Sequence, residues 1–416
     1  MLFKEYSVLE RLLINHKHKK NLNNYFIISV QHLLSSTGSM FEALIRYGFE
    51  PNNIFLTGKL YSTHLETKEK IGQLGVNVID SSISHNIGEY AITLENDVKK
   101  MWLDLEKVLK LNSKIIILDD GGYTLKTTPT NILNKYKVYG IEQTTSGIKM
   151  QKTFGKFPVI HLASSANKVL IEPKIVSEAI KIQLGKIIDD LNPKNIGVVG
   201  YGNIGKAIVK EFKDQYKLFA FDIKNELNNE IIAGVEYCHS INDILENVDV
   251  LIGATGQDIS NIGWISEIKN NITLISASSG DIEFNSLLKN AKSYLIEPIK
   301  TPLDVLHIKT RNNKVVKILR GGMVANFTGI ADSSPGEIIQ VTRGLLFSAI
   351  IQIVENEKRF KNKYGAIMLS PALQKDVTKY WFDDQPQRKQ DYSASIIAGF
   401  KSEEWIMSNS GGKYIV

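Results

Sequence analysis

Six consecutive residues carry the clearest chemical signal in this 416-residue chain: Gly200-Tyr201-Gly202-Asn203-Ile204-Gly205, within NIGVVGYGNIGKAIVKEF. In such a run the first glycine permits a tight turn, the second lets backbone approach a pyrophosphate, and the third lets helix and strand pack closely. A buried-looking strand leads in and an amphipathic helix begins at once. An anion would therefore rest on free amides at the positive end of a helix dipole, with Asn203 and Ile204 in its first turn. A second strand, LFAFD, ends in Asp222. A carboxylate there accepts from adenosine ribose hydroxyls and repels a 2′-phosphate, so NAD is favoured over NADP. Further on, VDVLIGATGQD predicts a strand ending in a Thr255-Gly256 turn, and Ser278 lies in the following loop, SASSGDIE. Ligands lie at such carboxyl ends, so these three residues join the expected cofactor set.

Elements of the right kind surround this turn. From residue 25 onward, β-branched runs alternate with helical patterns: FIISV (26–30), a helix over 39–49, NIFLT (53–57), a helix from about Ser62 to Leu74, VNVID (76–80), a charged helix over 89–111, KIIILDD (114–120), KVYGIEQ (137–143) and PVIHLA (158–163). That rhythm predicts a parallel sheet covered on both faces. A helical pattern from Pro173 to Leu191 ends at Asn192-Pro193, and a second α/β stretch follows to about Ser334. Helical pattern returns over 336–358, and the stretch from about Ser370 reads as polar and irregular. The expected fold is α/β with two doubly wound parallel-sheet domains. A Rossmann NAD-binding domain (173–335) is inserted into a substrate domain (1–172, completed by about 336–370), with a C-terminal tail over 371–416. Ligand is expected between the domains, with hinges near Pro173 and Pro335.

Composition narrows the class. The chain is 43% hydrophobic and 23% charged, ordinary for a globular protein. No run of about 18 apolar residues is evident, so no membrane span is expected. The N-terminal segment mixes charges into apolar positions and reads as an amphipathic helix rather than a signal peptide. The single cysteine, Cys238, fits a reducing, cytoplasmic setting, and its neighbour His239 makes no metal site, so no metal is expected. The formal charge of +6 is diffuse, and the short basic stretch His16 to Lys20 lacks interleaved aromatics, so no nucleic-acid partner is indicated.

Other segments bear on function. ILDDGGYTLKT (117–127), GIEQTTSGIKM (140–150), VVGYGNIGKAI (198–208) and GGMVANFTGI (321–330) occur in that order. Together they resemble the S-adenosylhomocysteine hydrolases (adenosylhomocysteinases) as a divergent member, from about His32 to Gln352. The resemblance implies an enzyme of one-carbon metabolism that recycles bound NAD. It would oxidise a ribose hydroxyl transiently, eliminate a thiol, add water and re-reduce. It also implies roles for particular residues. His32, in VQHLLSS, matches a histidine serving near C5′, and Asp120 matches the catalytic carboxylate of the DDGG turn. Lys168 matches the lysine beside the oxidised hydroxyl, and Glu172 stands where the family grips ribose hydroxyls with Asp. Their spacing of four would let one diol meet both. Thr144, Thr145 and Ser146 match a Thr triplet on the nicotinamide side, and Asn326 an asparagine at the amide end. Oligomerisation is implied by the resemblance only. Read without it, His32 is equally a core histidine, Asp120 a turn cap, and Lys168–Glu172 a solvated pair.

Departures from the pattern are concentrated. Gln143 replaces a substrate-contacting glutamate, while Leu34 and Ser36 replace the Thr and Glu that read adenine. The histidine of NIGHFD gives way to Gly280 or a gap, His-Pro becomes Ser334-Pro335, Ser177 replaces a cysteine, and Lys413-Tyr414 only faintly echoes the family's last Lys and Tyr. The expectation is an NAD-dependent enzyme acting on a small molecule, a nucleoside or other vicinal diol, with altered recognition. The alternatives are a catalytically silent NAD-binding paralogue with a regulatory or assembly role, and a genuine adenosylhomocysteinase with substituted groups.

Overall fold

The computed structural model describes the chain except residues 18–19, 80–86, 150–155, 177, 180–181, 184–191, 224–230, 269, 291, 328 and 411–416. Most of the helix expected over 173–191, Ser177 and the Lys413-Tyr414 pair lie outside the described residues. The chain divides into two compact units: Met1–Ser82, Leu94–Glu172 and Gly329–Val416 form the first, Ile83–Thr93 and Pro173–Thr328 the second.

The strands, in chain order, are β1 (Tyr25–Leu33), β2 (Ile54–Thr63), β3 (Asn77–Ile79), β4 (Lys114–Asp119), β5 (Lys137–Glu142) and β6 (Pro158–His161). Then come β7 (Asn195–Val199), β8 (Lys217–Phe221), β9 (Val235–Tyr237), β10 (Val250–Gly253), β11 (Ile272–Ser276), β12 (Leu306–Lys309), β13 (Val315–Ile318) and β14 (Gly365–Met368). The first unit's sheet has the order β3-β2-β1-β4-β5-β6-β14, parallel throughout. The second unit's sheet has the order β9-β8-β7-β10-β11-β13-β12, parallel except for the antiparallel pair β12–β13 at one edge. Both sheets reverse direction of growth at one place, between β1 and β4 and between β7 and β10. Such a switch point opens a crevice beyond the strands' carboxyl ends. Both units are α/β and Rossmann-like. Their central strands read as near-continuous Ile, Leu and Val because helices cover both faces, and Ile115 to Leu118 are fully buried.

Three expectations are corrected. β2 does not stop at Thr57, and the next helix is Leu65–Gln73 rather than starting at Ser62. Gly58, Tyr61 and Ser62 continue the sheet through a bulge, because Gln31 pairs with Gly58 while Leu33 pairs with Thr63. The stretch from Ser370 is not irregular: helices span Pro371–Asp384 and Lys389–Ser410. Its polar residues are absorbed inside, where buried Glu403 accepts from Ala166 N at 2.8 Å and from Gln374 Nε2 at 2.8 Å. Finally, helix Gly336–Glu355 is long and apolar enough to cross a membrane by length and composition, but 83% of that window is buried inside the protein. Its apolar surface serves as the core of the first unit, against helices Ser7–Asn15, Ser35–Tyr47 and Pro371–Asp384.

The Glu403 contact yields the first test. Removing the carboxylate strands the Ala166 amide and the Gln374 amide in a buried setting, so Glu403→Ala should cost roughly 1–3 kcal/mol in urea unfolding. An unchanged midpoint would show that the last helix is not anchored there.

Candidate functional site

Sequence places His32 at the end of β1 and Asp120 just after β4, so the two strands of the first switch point deliver them to one spot. His32 Nε2 lies 3.1 Å from Asp120 Oδ2. The β2 bulge turns two further side chains to the same place: Ser62 Oγ hydrogen-bonds His32 Nδ1, and Lys59 Nζ donates to Asp120 Oδ1. Thr63 Oγ1 closes the bulge on Lys59 O at 2.8 Å. Just after β5, Gln143 Nε2 donates to Asp120 Oδ2. The amide that stands where the resemblance implies a glutamate therefore gives Asp120 a donor in place of a second negative charge.

Burial sets the protonation states. Burial pushes the His32 imidazole down to about 4, outweighing the pull of Asp120, so the ring is neutral near pH 7. Burial alone would lower the Lys59 ammonium, but the Asp120 carboxylate outweighs it and holds the group above the ordinary lysine range. Burial likewise opposes ionisation of Asp120, yet Lys59 and His32 hold its carboxyl well below the usual range. The neighbouring carboxylates behave oppositely. Burial lifts Asp119 to about 7 although it accepts from Leu125 N at 2.8 Å and Asp120 N at 2.9 Å. Glu142 is raised by burial and then by the charge of Asp119. It organises the turn over 142–147, its Oε1 accepting from Thr144 N and Thr144 Oγ1, each at 2.7 Å.

Lys168 and Glu172 meet as their spacing implies, Nζ to Oε1 at 2.5 Å, although helix Ala166–Leu170 has its C-cap at Ile171 between them. Thr342 Oγ1 adds a contact to Glu172 at 3.3 Å. Thr144 spends its hydroxyl inside its own turn, taking Gly147 N at 2.9 Å and Ser146 Oγ at 3.2 Å, while Thr145 is exposed.

In the second unit the cofactor turn has the geometry a dinucleotide needs. Gly200 has φ +97°, and a Cβ on Gly205 would stand 1.8 Å from Gly200 O, so only glycine fits either place. A Cβ on Gly202 would meet nothing within 4 Å, which leaves open space where a pyrophosphate would approach. Helix Asn203–Phe212 begins there with no side-chain cap, so the amides of its first turn, Ile204 included, remain available to an anion. Asp222 directly follows β8 beside the turn, accepting from Tyr201 N at 2.7 Å. Among the described residues, buried Asn326 has an Oδ1 without a hydrogen-bond partner. These features fit NAD. The amide of Gly256, by contrast, is engaged: Glu283 accepts from Thr255 N at 2.7 Å and Gly256 N at 2.6 Å, and Ser278 Oγ also accepts from Gly256 N at 3.0 Å. Thr255, Gly256 and Ser278 are thus one loop pinned by a buried carboxylate.

Lys59 and Glu283 escape sequence reasoning. Lys59 sits in LTGKLYST, a strand-like run with no chemical spacing, and its partner is 61 residues away. A lysine flanked by strand-forming residues beside a glycine was the available signal. The acidic residue five places beyond Ser278 was the signal for Glu283.

No family model matches the chain. It is 27% identical over 346 residues to an uncharacterised protein of Mycobacterium tuberculosis, an alignment covering 80% of this chain and 64% of that protein. The chain thus spans less than two thirds of that relative's length. It is 23% identical over 355 residues to the adenosylhomocysteinase of Sulfolobus acidocaldarius, covering 83% of this chain and 81% of the other. A shorter stretch of 124 residues, 27% of this chain and 31% of the other, is 32% identical to the erythronate-4-phosphate dehydrogenase of Wigglesworthia glossinidia brevipalpis. Among solved structures, a dipicolinate synthase of Bacillus halodurans aligns over 78% of this chain and 99% of its own at 14% identity, with a TM-score of 0.43, too distant to bear on function.

Two tests follow from the charge network. Lys59→Met leaves Asp120 buried without its cation, so about 3–5 kcal/mol of stability should be lost, and Lys59→Met/Asp120→Asn should recover part of it. Equal stability of wild type and single variant would dismiss the pair. Second, unfolded histidine titrates near its ordinary value of 6.5 and native His32 near 4. As pH falls, the unfolded chain takes the proton first, so stability present above 6.5 drains between 6.5 and 4. His161, also lowered to about 4 by burial, acts the same way. Asp119, raised in the native state, works in the opposite direction. His32→Asn should therefore flatten the fall by at most about 1.4 kcal/mol per pH unit in that window. Urea midpoints at about pH 7, 6 and 5 measure it, and an identical slope in the variant would refute the assignment.

Proposed function

We propose that this chain is an NAD-dependent enzyme related to adenosylhomocysteinases, which oxidises a hydroxyl of a ribose-like diol transiently and has altered substrate recognition. The observation that carries this reading is a repeated placement. His32 and Asp120 sit at the switch point of one sheet, and the Gly200–Gly205 turn sits at the same place in the other. Bound NAD would accept a hydride from the substrate and later return it. The cofactor would be held by the amides after Gly202 and by Asp222, with Asn326 offered to its amide end.

The chain's own groups divide the remaining work. Lys168 and Glu172, already in contact, would hold two neighbouring hydroxyls, and Lys168 would manage the proton leaving the one oxidised. Asp120, kept ionised by Lys59, is suited to accept a proton from an acidified carbon. His32, neutral, donates through Nε2 to Asp120 while Nδ1 faces Ser62, which makes it a relay rather than a standing cation. One observation favours the second reading, a silent NAD-binding paralogue: Lys59, Gln143 and His32 together engage both oxygens of Asp120. A base so fully engaged must lose a partner before it acts.

Both readings require NAD, and they separate on turnover. Denatured protein should release NAD, and native protein mixed with candidate diols should develop NADH absorbance that Lys168→Met abolishes. Gly202→Ala should keep its melting temperature, because the added methyl enters open space, yet weaken NAD binding by about tenfold or more. NAD release without NADH formation on any diol would support the silent paralogue, and undiminished NAD affinity in Gly202→Ala would refute the cofactor site.

A further inference from the structure

The long core helix Gly336–Glu355 contains one charge that its apolar packing does not explain. Arg343 is only 4% exposed, flanked by buried Val341, Leu345 and Leu346. A cation removed from water is ordinarily paired with a carboxylate, because the cost of its dehydration is otherwise uncompensated. Here it is not. Among the described residues its hydrogen bond is a single long one, Nε to the neutral Ser36 Oγ at 3.3 Å. Asp332, Asp120 and Glu172 all feel its charge, yet each is committed elsewhere. Asp332 accepts from Ser36 N at 3.1 Å, Asp120 from Lys59 and Gln143, and Glu172 from Lys168 and Thr342. Burial accordingly depresses the guanidinium below its ordinary range. Among the described residues its terminal nitrogens have no hydrogen-bond partner, and they are not among the sealed orphan atoms of the core.

We propose that Arg343 is the anion-binding group of the first unit's site, and that the substrate bears an oxyanion, carboxylate or phosphate, on the polyol the site holds. This rests on the reading that the Lys168–Glu172 pair holds a diol. A guanidinium whose two outer nitrogens are free presents parallel donors in the spacing of a carboxylate or phosphate, and it forms the stronger, charge-assisted kind of hydrogen bond. The charges of Glu172 and Asp120 both act on Arg343, so an oxyanion held by it lies near the diol grip. The other neighbour of Arg343 is Ser36, one of the positions where the resemblance puts an adenine reader. A guanidinium offers donors only, so the exocyclic amine of adenine would meet donor against donor there. The exchange of an acceptor at position 36 for a hydroxyl bonded to Arg343 thus turns a base-reading position into an anion-reading one.

Calorimetry on the full chain with ribitol, ribonate and ribitol 5-phosphate tests this, because the three share a polyol and differ in the terminal group. One anionic ligand should bind about tenfold or more tighter than ribitol, and which one identifies the oxyanion. Arg343→Gln should bring the three affinities together, and Arg343→Lys, keeping the charge without the fork, should retain part of the preference. Thermal melts and NAD titration of each variant report its folding independently. Equal affinity for all three ligands, or an anion preference that survives Arg343→Gln, overturns the proposal. Heat with NAD but none with any polyol overturns it too while leaving the cofactor reading intact. Anion preference without NAD heat upholds it and removes the cofactor reading.

Discussion

A carboxylate with nowhere to put its charge except on its neighbours organises the first unit. Asp120 is 2% exposed, and it is held ionised by Lys59, which is buried as deeply. The arrangement constrains everything near it. His32 stays neutral because burial outweighs the pull of Asp120, with the charge of Lys59 adding to that effect, and Gln143 gives Asp120 a donor where a carboxylate would repel it. Asp119 and Glu142 retain protons more readily than ordinary carboxyls because they are buried, and the neighbouring carboxylate charges add to that effect. Burial thus sets the protonation of the surrounding groups, and one ion pair keeps Asp120 the exception.

Its position follows from topology rather than from any local motif. A doubly wound sheet exposes the carboxyl ends of its central strands where the winding reverses, and β1 and β4 meet there. The bulge in β2 then supplies what the regular ladder cannot, since it aims both Lys59 and Ser62 at the crevice. The second unit solves its version with glycine and an uncapped helix end. One switch point is built for fixed charges and the other for backbone amides.

These differences explain what could be read from sequence. The Gly200–Gly205 turn was legible because its function requires missing side chains, and absence of Cβ at three spaced positions is a local pattern. β4, β5 and β7 were legible as apolar runs, and their parallel order follows from alternation with helices. Lys59, Arg343, Glu283 and Glu403 were not, since each acquires its meaning from a partner far along the chain. Lys59 looks like any strand lysine until β2 bulges, and Arg343 is hidden by the apolar helix around it. The polar segment beyond Ser370 misled for the same reason: its glutamate is buried, and composition averages cannot tell a buried carboxylate from a solvated one.

The discontinuity of the first unit has a consequence for how the chain is born. Ala166 opens the short helix that carries Lys168, and its amide is satisfied by Glu403, a residue synthesised 237 positions later. The intervening segment includes nearly the whole second unit. On the ribosome, the cofactor-type sheet can close while the earlier sheet still lacks β14 and the helix that seats Lys168. The nascent protein therefore owns a dinucleotide turn before it owns a finished lysine site, and any premature stop soon after the second unit ends at Thr328 would leave the one without the other.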